Sequence, residues 1–436
     1  MMKELLKELI LDAQNTTFFT GTPRRLKVTP VQNKATVIIG VRRSGKSTLL
    51  NQILNHWLSV GIAKENMLMI HFFDDRISNL KIVGLDLVLQ AYFLLYPQKK
   101  LKEKIYCFFD EIQVIPGWEA FIDRLLRTEN CMVYLSGSSA QLLSKEVATQ
   151  MRGRALSWEL FPFSFQEFTD HQKVENELPM NSQQRILIEN AFDEYWECGG
   201  FPEVIGLNKP LRIKIHQEYF ESILFRDLIE RYDISHPRAL IDLAKKLLDN
   251  IASMYTLNSL TGFLKSLGHN VPKTSVADYL KWFEDAYFLF TVRLFDASFR
   301  RSNANPKKIY CIDPSLIRSV SSGILINSGH ILENMVFIAL RRLNSEIFYF
   351  RTSGNLEVDF LIKNTDGRIM LFQVCETLVN PTTRQREINA LQAGMLDLNV
   401  AKGTIITRNE AETLTVPSGT IEIVPVWRFL LEINDY

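Results

Sequence analysis

The chain is poor in the features that would tie it to an oxidising compartment or a membrane. Its five cysteines, Cys107, Cys131, Cys198, Cys311 and Cys375, are odd in number, widely spaced and never arranged as C-x-x-C, which excludes a disulfide framework and a zinc knuckle. No stretch approaches about 20 consecutive apolar residues, so no membrane-spanning helix is expected. The N-terminus, MMKELLKELILDAQN, alternates charge with apolar residues and lacks the apolar core and cleavage site of a secretory signal. A reducing cytoplasm is the expected location. Net charge is scarce too: 50 Lys and Arg against 49 Asp and Glu leave +1, so any nucleic-acid surface must be local. None of the seven histidines pairs with another His or a Cys at ligand spacing, and His56 and His71 read as packing or surface residues.

Apolar residues are present at 46% over 436 residues, enough for about three domains each with its own core. Residues 1–30 read as an amphipathic helix, with Leu5, Leu6, Leu9 and Ile10 on one face, followed by a polar connector. Short apolar runs at 36–39, 66–73, 104–109, 131–136 and 155–160 then alternate with helix-length segments, the pattern of an α/β fold with a parallel sheet covered on both faces. From 163 to 235 the pattern is mostly helical, broken by Gly199-Gly200-Phe201-Pro202. Between 236 and 325, three candidate helices and two strand runs, FLFTVRLFD and KKIYCID, suggest a winged helix. Residues 326–436 form a last α/β segment.

The chemistry concentrates in the first α/β segment. Gly40-Val-Arg-Arg-Ser-Gly45-Lys46-Ser47 matches G-x-x-x-x-G-K-[ST] between an apolar strand and a helix, the context a phosphate-binding loop (Walker A) needs. Glycines let phosphate approach backbone N–H groups, and the helix N-terminus adds its positive end. Lys46 is placed to neutralise the β/γ oxygens of ATP, or the β oxygens of ADP, and the Ser47 hydroxyl to ligate Mg²⁺, with Arg43, Ser44 and Thr48 completing the cradle. The run KIYCFF ends in Asp110-Glu111 (Walker B), one acid for the Mg²⁺ shell and one to orient or deprotonate the attacking water. Ser136 ends the next strand where it can sense the γ-phosphate, whereas Ser138 and Ser139 fit equally well as helix caps. Arg152 and Arg154 flank Gly153 and are candidates for an arginine finger, in cis or from a neighbouring copy; structural ion pairing serves equally well.

Together GVRRSGKST, FFDEIQVIPGWEAFI, YLSGSSAQLLS, MRGRA, FPFSFQEF, CGGFPEV and ILFRDLIERY resemble a family of prokaryotic AAA-type ATP-binding proteins with a C-terminal domain of unknown function of the DUF4143 type. The resemblance runs from about residue 30 to the C-terminus. It implies an ATPase core at 31–162, a helical lid at 163–235, a winged helix at 236–325 and a nuclease-like domain at 326–436. It further implies that Lys46 and Ser47 bind nucleotide and Mg²⁺, that Asp110 and Glu111 are the hydrolytic pair, and that Ser136 is the sensor.

Two further surfaces follow from the residues. Residues 238–313 hold 11 Lys and Arg against 7 Asp and Glu, a local +4. Arg300, Arg301, Lys307 and Lys308 flank the polar turn SNANP, where a wing would reach phosphate, and Lys273 and Lys281 lie at or on the preceding helix. In the last segment, Glu333, then Glu357-Val-Asp359, then Gln373-Val-Cys375 is similar to the PD-(D/E)xK nuclease core, in which acids hold Mg²⁺ and a Lys activates water. Cys375 stands where the Lys should be, so a retained fold with weak or no cleavage is expected. Lys363 could replace that Lys only if its strand stays regular, and Glu387 is an alternative acid. The expected function is a Mg²⁺-dependent ATPase coupled to a winged helix that binds double-stranded DNA. The alternatives are a nucleotide-gated switch acting on a protein partner and an ATP-controlled Mg²⁺ nuclease.

Overall fold

Five strands carry the first half of the chain, and the reason they pair is visible in their composition. β1 (Ala35–Ile39), β3 (Ile105–Asp110) and β4 (Cys131–Ser136) are buried at every residue, as strands covered on both faces must be. With β2 (Met67–His71) and β5 (Ala155–Glu159) they form a parallel sheet in the order β2-β3-β4-β1-β5, the sheet of a P-loop NTPase. The computed structural model describes residues 2–137, 151, 153–177, 179–321, 327–344, 346–364 and 366–433. It divides into two units, 1–162 and 163–436.

In the first unit, helix α1 (Met2–Asn15) buries Leu6 and Ile10. The connector after it is stitched to α2 (Lys46–Ser59): Gln52 Nε2 donates to the carbonyls of Thr20 (2.5 Å) and Thr22 (2.8 Å). Leu49, Leu50 and Leu54 of α2 pack on Ile38, Phe108 and Tyr134, the last two stacked at 4.8 Å between ring centroids. Helix α3 (Trp118–Thr128) contributes Phe121, Ile122, Leu125 and Leu126 to the buried interior.

The second unit opens with α4 (Phe165–Gln172), whose N-terminus is closed by reciprocal bonds between Ser164 and Glu167. Helices α5 (Ser182–Cys198) and α6 (Lys209–Ser222) follow, separated by the double glycine. A Cβ on Gly199 would lie 2.1 Å from Asp313 Oδ1, and one on Gly200 would lie 2.3 Å from the Phe163 carbonyl, so only glycine fits. The Gly200 amide donates to Asp313 Oδ2 at 2.7 Å, and Asp313 also caps a helix at Pro314–Val320.

Next come α7 (Pro237–Asp249), β6 (Met254–Tyr255), α8 (Leu257–Ser266), α9 (Lys273–Asp285), β7 (Leu289–Leu294) and β8 (Lys307–Cys311). β8 pairs antiparallel with both β6 and β7. The segment SNANP is not simply a turn, because residues Phe299–Ala304 form a short helix capped by Ser298. Sequence patterning divides this segment from the next, yet the backbone does not: β7 also runs parallel to β9 (Ile347–Arg351), joining both into one nine-stranded sheet, β13-β14-β12-β11-β10-β9-β7-β8-β6. The remaining strands are β10 (Glu357–Lys363), β11 (Ile369–Val374), β12 (Lys402–Thr407), β13 (Glu412–Val416) and β14 (Gly419–Pro425). Helix α10 (Ser328–Leu343), buried from Ile331 to Leu340, and α11 (Pro381–Leu398) accompany this sheet. Among the described residues, no single helix is long and apolar enough to cross a membrane.

Candidate nucleotide site and a second charged centre

Because all strands of the first sheet run the same way, their carboxyl ends gather on one edge. β4 lies between β1 and β3, with Asp110 opposite Ser136 and His71 opposite Asp110 in register. The loop leaving β1 turns at Gly40, where φ is 152° and a Cβ would fall 2.1 Å from the Leu160 carbonyl. Arg43 adopts φ 65°, and Gly45, at φ 96°, is the N-cap of α2. Ser44 is wholly buried, and its hydroxyl meets no hydrogen-bond partner among the described residues. The buried Lys46 ammonium turns into the loop and donates to the carbonyls of Val41 (3.1 Å) and Gly40 (3.3 Å). Ser47 and Thr48 follow, half-buried in the first turn of α2. A buried hydroxyl without a partner, a lysine inside the loop and a helix N-terminus are what a polyphosphate requires.

Asp110 is fully buried, hydrogen-bonded from the Ser136 hydroxyl at one oxygen and 3.0 Å from His71 Nε2 at the other. Glu111 stands in the left-handed region at φ 57°, its amide donating to the Ser136 carbonyl at 2.9 Å and its carboxylate accepting from Gln113. The sequence therefore locates Asp110, Glu111 and Ser136 on one edge, and the structure brings them together there.

Three contributors carry no legible signal in the sequence. His71 is a surface residue, as expected, but its imidazole also reaches Asp110, whose hydrogen bond raises it above its ordinary range. Gln113 orients Glu111. Arg24 braces the loop from the connector, donating to the carbonyls of Ser44 (2.7 Å) and Phe161 (2.6 Å). A basic pair in a polar connector does not announce that role.

Arg154 is a correction. It precedes β5, and the Ala35 amide at the start of β1 donates to its carbonyl at 2.7 Å, which puts it at the amino end of the sheet, away from the loop. Its guanidinium lies 3.6 Å from Asp123, which also pairs with Arg127. It cannot serve as a finger for its own site. Arg152, Ser138 and Ser139 lie outside the described residues.

The second centre corrects the wing. Lys308 does not face solvent: it is 4% exposed, and its ammonium lies 2.8 Å from Asp359, 2.9 Å from Glu333 and 3.0 Å from Glu357. Burial opposes its charge, but Asp359 and Glu333 outweigh burial and hold the ammonium well above the usual lysine range. Glu333 also accepts from Tyr310 (2.7 Å), and burial pushes its carboxyl up to about 7. Lys307 is half-buried and lowered by that burial, whereas Arg300 and Arg301 are exposed, the latter 3.2 Å from Asp296. Lys273 and Lys281 are exposed on α9, with Asp278 on the exposed face between them.

Glu333, Asp359 and Gln373 are thus near one another, while Cys375 is not part of the group; its thiol points to the Thr377 carbonyl at 3.1 Å. Asp359 Oδ2 accepts from the Val374 amide (3.0 Å), and Gln373 bridges the Asp359 amide (3.2 Å) to Glu387 (2.7 Å). The register of β10 against β9 slips between Val358 and Leu361, a bulge that breaks the alternation on which Lys363 depends, and Lys363 is exposed.

Residues 32–169 match the AAA domain family, residues 189–324 a domain of unknown function (DUF8612), and residues 328–429 a domain of unknown function (DUF4143). The chain is similar to the uncharacterized protein MJ1544 of Methanocaldococcus jannaschii, 32% identical over 441 residues that cover 98% of this chain and 96% of the relative. It is likewise similar to an uncharacterized protein of Haemophilus influenzae, 30% identical over 340 residues, 78% of this chain and 81% of that one. A solved structure, a Walker-type ATPase of Pyrococcus abyssi, is similar at a TM-score of 0.41 and 16% identity, covering 66% of this chain and 90% of the other.

Proposed function

The chain belongs to the AAA-domain family that includes these archaeal and bacterial relatives and ends in a DUF4143 domain, and from that membership we propose a Mg²⁺-dependent ATPase coupled to a DNA-binding winged helix. The observation that carries the hydrolytic part is the convergence of Lys46, Asp110, Glu111 and Ser136 on one sheet edge, beside a loop with an unpartnered buried hydroxyl. The Ser47 hydroxyl and the Asp110 carboxylate are oxygen donors of the kind Mg²⁺ takes, and bound there the ion neutralises charge on the phosphates. Lys46 leaves its two carbonyls for the β/γ oxygens. Glu111, fixed by Gln113 and by its own backbone bond to β4, orients the attacking water and receives its proton. Ser136 holds Asp110 and reports the state of the phosphate.

Support for the winged-helix part is the order α7, β6, α8, α9, β7, β8 with antiparallel pairing of the strands. The DNA contacts proposed are Lys273, Lys281, Arg300 and Arg301. Lys307 and Lys308 are withdrawn from that set by burial. In this reading residues 31–162 are the ATPase core, 163–235 the lid and 326–436 a nuclease-like fold without cleavage. A second reading, a nucleotide-gated switch for a protein partner, is favoured by the acid Asp278 within the proposed DNA face and by the withdrawal of Lys308 from the wing.

Steady-state ATP hydrolysis, with and without double-stranded DNA at two salt concentrations, separates the two. Glu111→Gln should retain ATP binding and lose at least about 100-fold in turnover, and Lys46→Ala should lose binding. Normal hydrolysis by Lys46→Ala would end the ATPase reading. Stimulation by DNA that fades with salt supports the first reading, and hydrolysis indifferent to DNA supports the second.

A further inference from the structure

The metal centre that a nuclease-like fold implies at Glu333, Asp359 and Gln373 does not fit the residues as they stand. Three carboxylates converge on a single atom, Lys308 Nζ, at 2.8, 2.9 and 3.0 Å. Two of the three, Glu333 and Asp359, accept hydrogen bonds from the ammonium, and Glu357 pairs with it as an ion pair, so the positive charge already in the centre is matched from three sides. The amide of Gln373 is spent, on the Asp359 backbone and Glu387. Among the described residues, no set of three or more His, Cys, Asp or Glu side chains is arranged to hold a metal ion. Lys308 is itself nearly sealed from solvent, so a divalent ion could enter only by driving a buried ammonium into apolar surroundings.

We propose that the Lys308 ammonium is the resident cation of this centre, supplied by β8 to the acids of α10 and β10, where it excludes divalent metal and bolts the winged-helix strands to the C-terminal sheet. The proposal deepens the reading of residues 326–436 as a non-cleaving nuclease-like fold, and it is independent of ATP hydrolysis. Position supports it further. β8 pairs with β7, β7 with β9, and β9 with β10, so the ion pairs span the same strands that the backbone bonds connect in series. The period of two along β8 puts Lys308 and Tyr310 on one face, and both bond the same Glu333 oxygen. Removing the ammonium would leave three carboxylates facing one gap, a donor set that suits a hard cation.

The test uses the full chain without nucleotide and Mn²⁺ as the probe, with bound equivalents counted by electron paramagnetic resonance and stability followed by thermal unfolding. Wild type and Asp359→Asn should bind the same number of Mn²⁺ equivalents. One more equivalent in wild type would overturn the proposal. Lys308→Met should lower Tm, gain one Mn²⁺ equivalent over wild type and recover Tm as Mn²⁺ is added, with the gain abolished in Lys308→Met/Asp359→Asn. A folded Lys308→Met that binds no extra Mn²⁺ also overturns the proposal. If Lys308→Met does not fold, the comparison of wild type with Asp359→Asn still decides, and Glu357→Gln repeats it at the half-buried ligand. Failure of the ATPase reading shows elsewhere, in a separate titration with nucleotide: wild type and Asp359→Asn would both fail to bind it, whatever their Mn²⁺ count without nucleotide.

Discussion

A buried histidine in the second unit sets an acid limit on stability. His216 is 1% exposed, with Nε2 3.0 Å from Ser315 Oγ and Nδ1 3.4 Å from Ser319 Oγ. The Ser315 hydroxyl donates to Asp313, so His216 Nε2 must be the donor toward Ser315, and the ring is neutral. Burial, with a smaller effect of Arg212, lowers the imidazole from 6.5 to about 4. Between those values the unfolded chain takes up a proton that the folded chain refuses. Stability is therefore full above pH 6.5 and falls as the pH drops toward 4, by an amount on the order of 3 kcal/mol. Denaturant unfolding from pH 7.5 to 4.5 should show that slope, and His216→Gln should flatten it; an unchanged slope would remove His216 as the cause.

Single elements explain what can and cannot be read from the amino-acid order. β1, β3 and β4 are legible because double-sided burial makes them unbroken apolar runs, and Asp110 and Ser136 are legible because they end such runs. β13 and β14 are not, since ETLTV and GTIEIVP alternate polar with apolar residues, with β13 exposed or half-exposed throughout. Lys308 escapes a sequence reading because a lysine beside Pro306 and Lys307 looks like a solvated turn, and only its phase with the buried Tyr310 hints at an inward side chain. The bulge in β10 leaves no trace in composition at all, yet it decides that Lys363 stays outside. The short helix at Phe299–Ala304 takes over from the expected turn as the exposed basic element. Each phosphate that a side chain neutralises adds about 0.9 to the slope of log affinity against log salt, so Arg300→Ala/Arg301→Ala should flatten the slope for duplex DNA by about 2. That pair leaves Lys308 in place, so the exposed charge is removed while the buried centre stays whole. An unchanged slope would take the helix off the DNA.

At a larger scale, one nine-stranded sheet runs through the segments 236–325 and 326–436, joined where β7 pairs with β9. β7 spends its first residues on β8 and its last two, Arg293 and Leu294, on β9. Elements that share a strand open together. Native-state amide exchange should therefore give the protected amides of β7, β8 and β10 a common opening free energy, and Lys308→Met should lower all three in step. Protection of β8 that falls while β10 is unchanged would mean that the two segments are independent after all. The family boundaries are consistent with the chemistry of this junction in one respect: DUF8612 supplies the ammonium and DUF4143 supplies the three carboxylates.

That partition has a consequence for inheritance. A recombinant that takes residues 236–325 from a parent uncharged at position 308 and at the three acid positions would hold buried Glu333 and Asp359 and half-buried Glu357 without their ammonium. The reciprocal recombinant would bury a lone ammonium. Each parent half would be sound and both hybrids defective, so the lysine and its acids can pass between lineages only as a linked set.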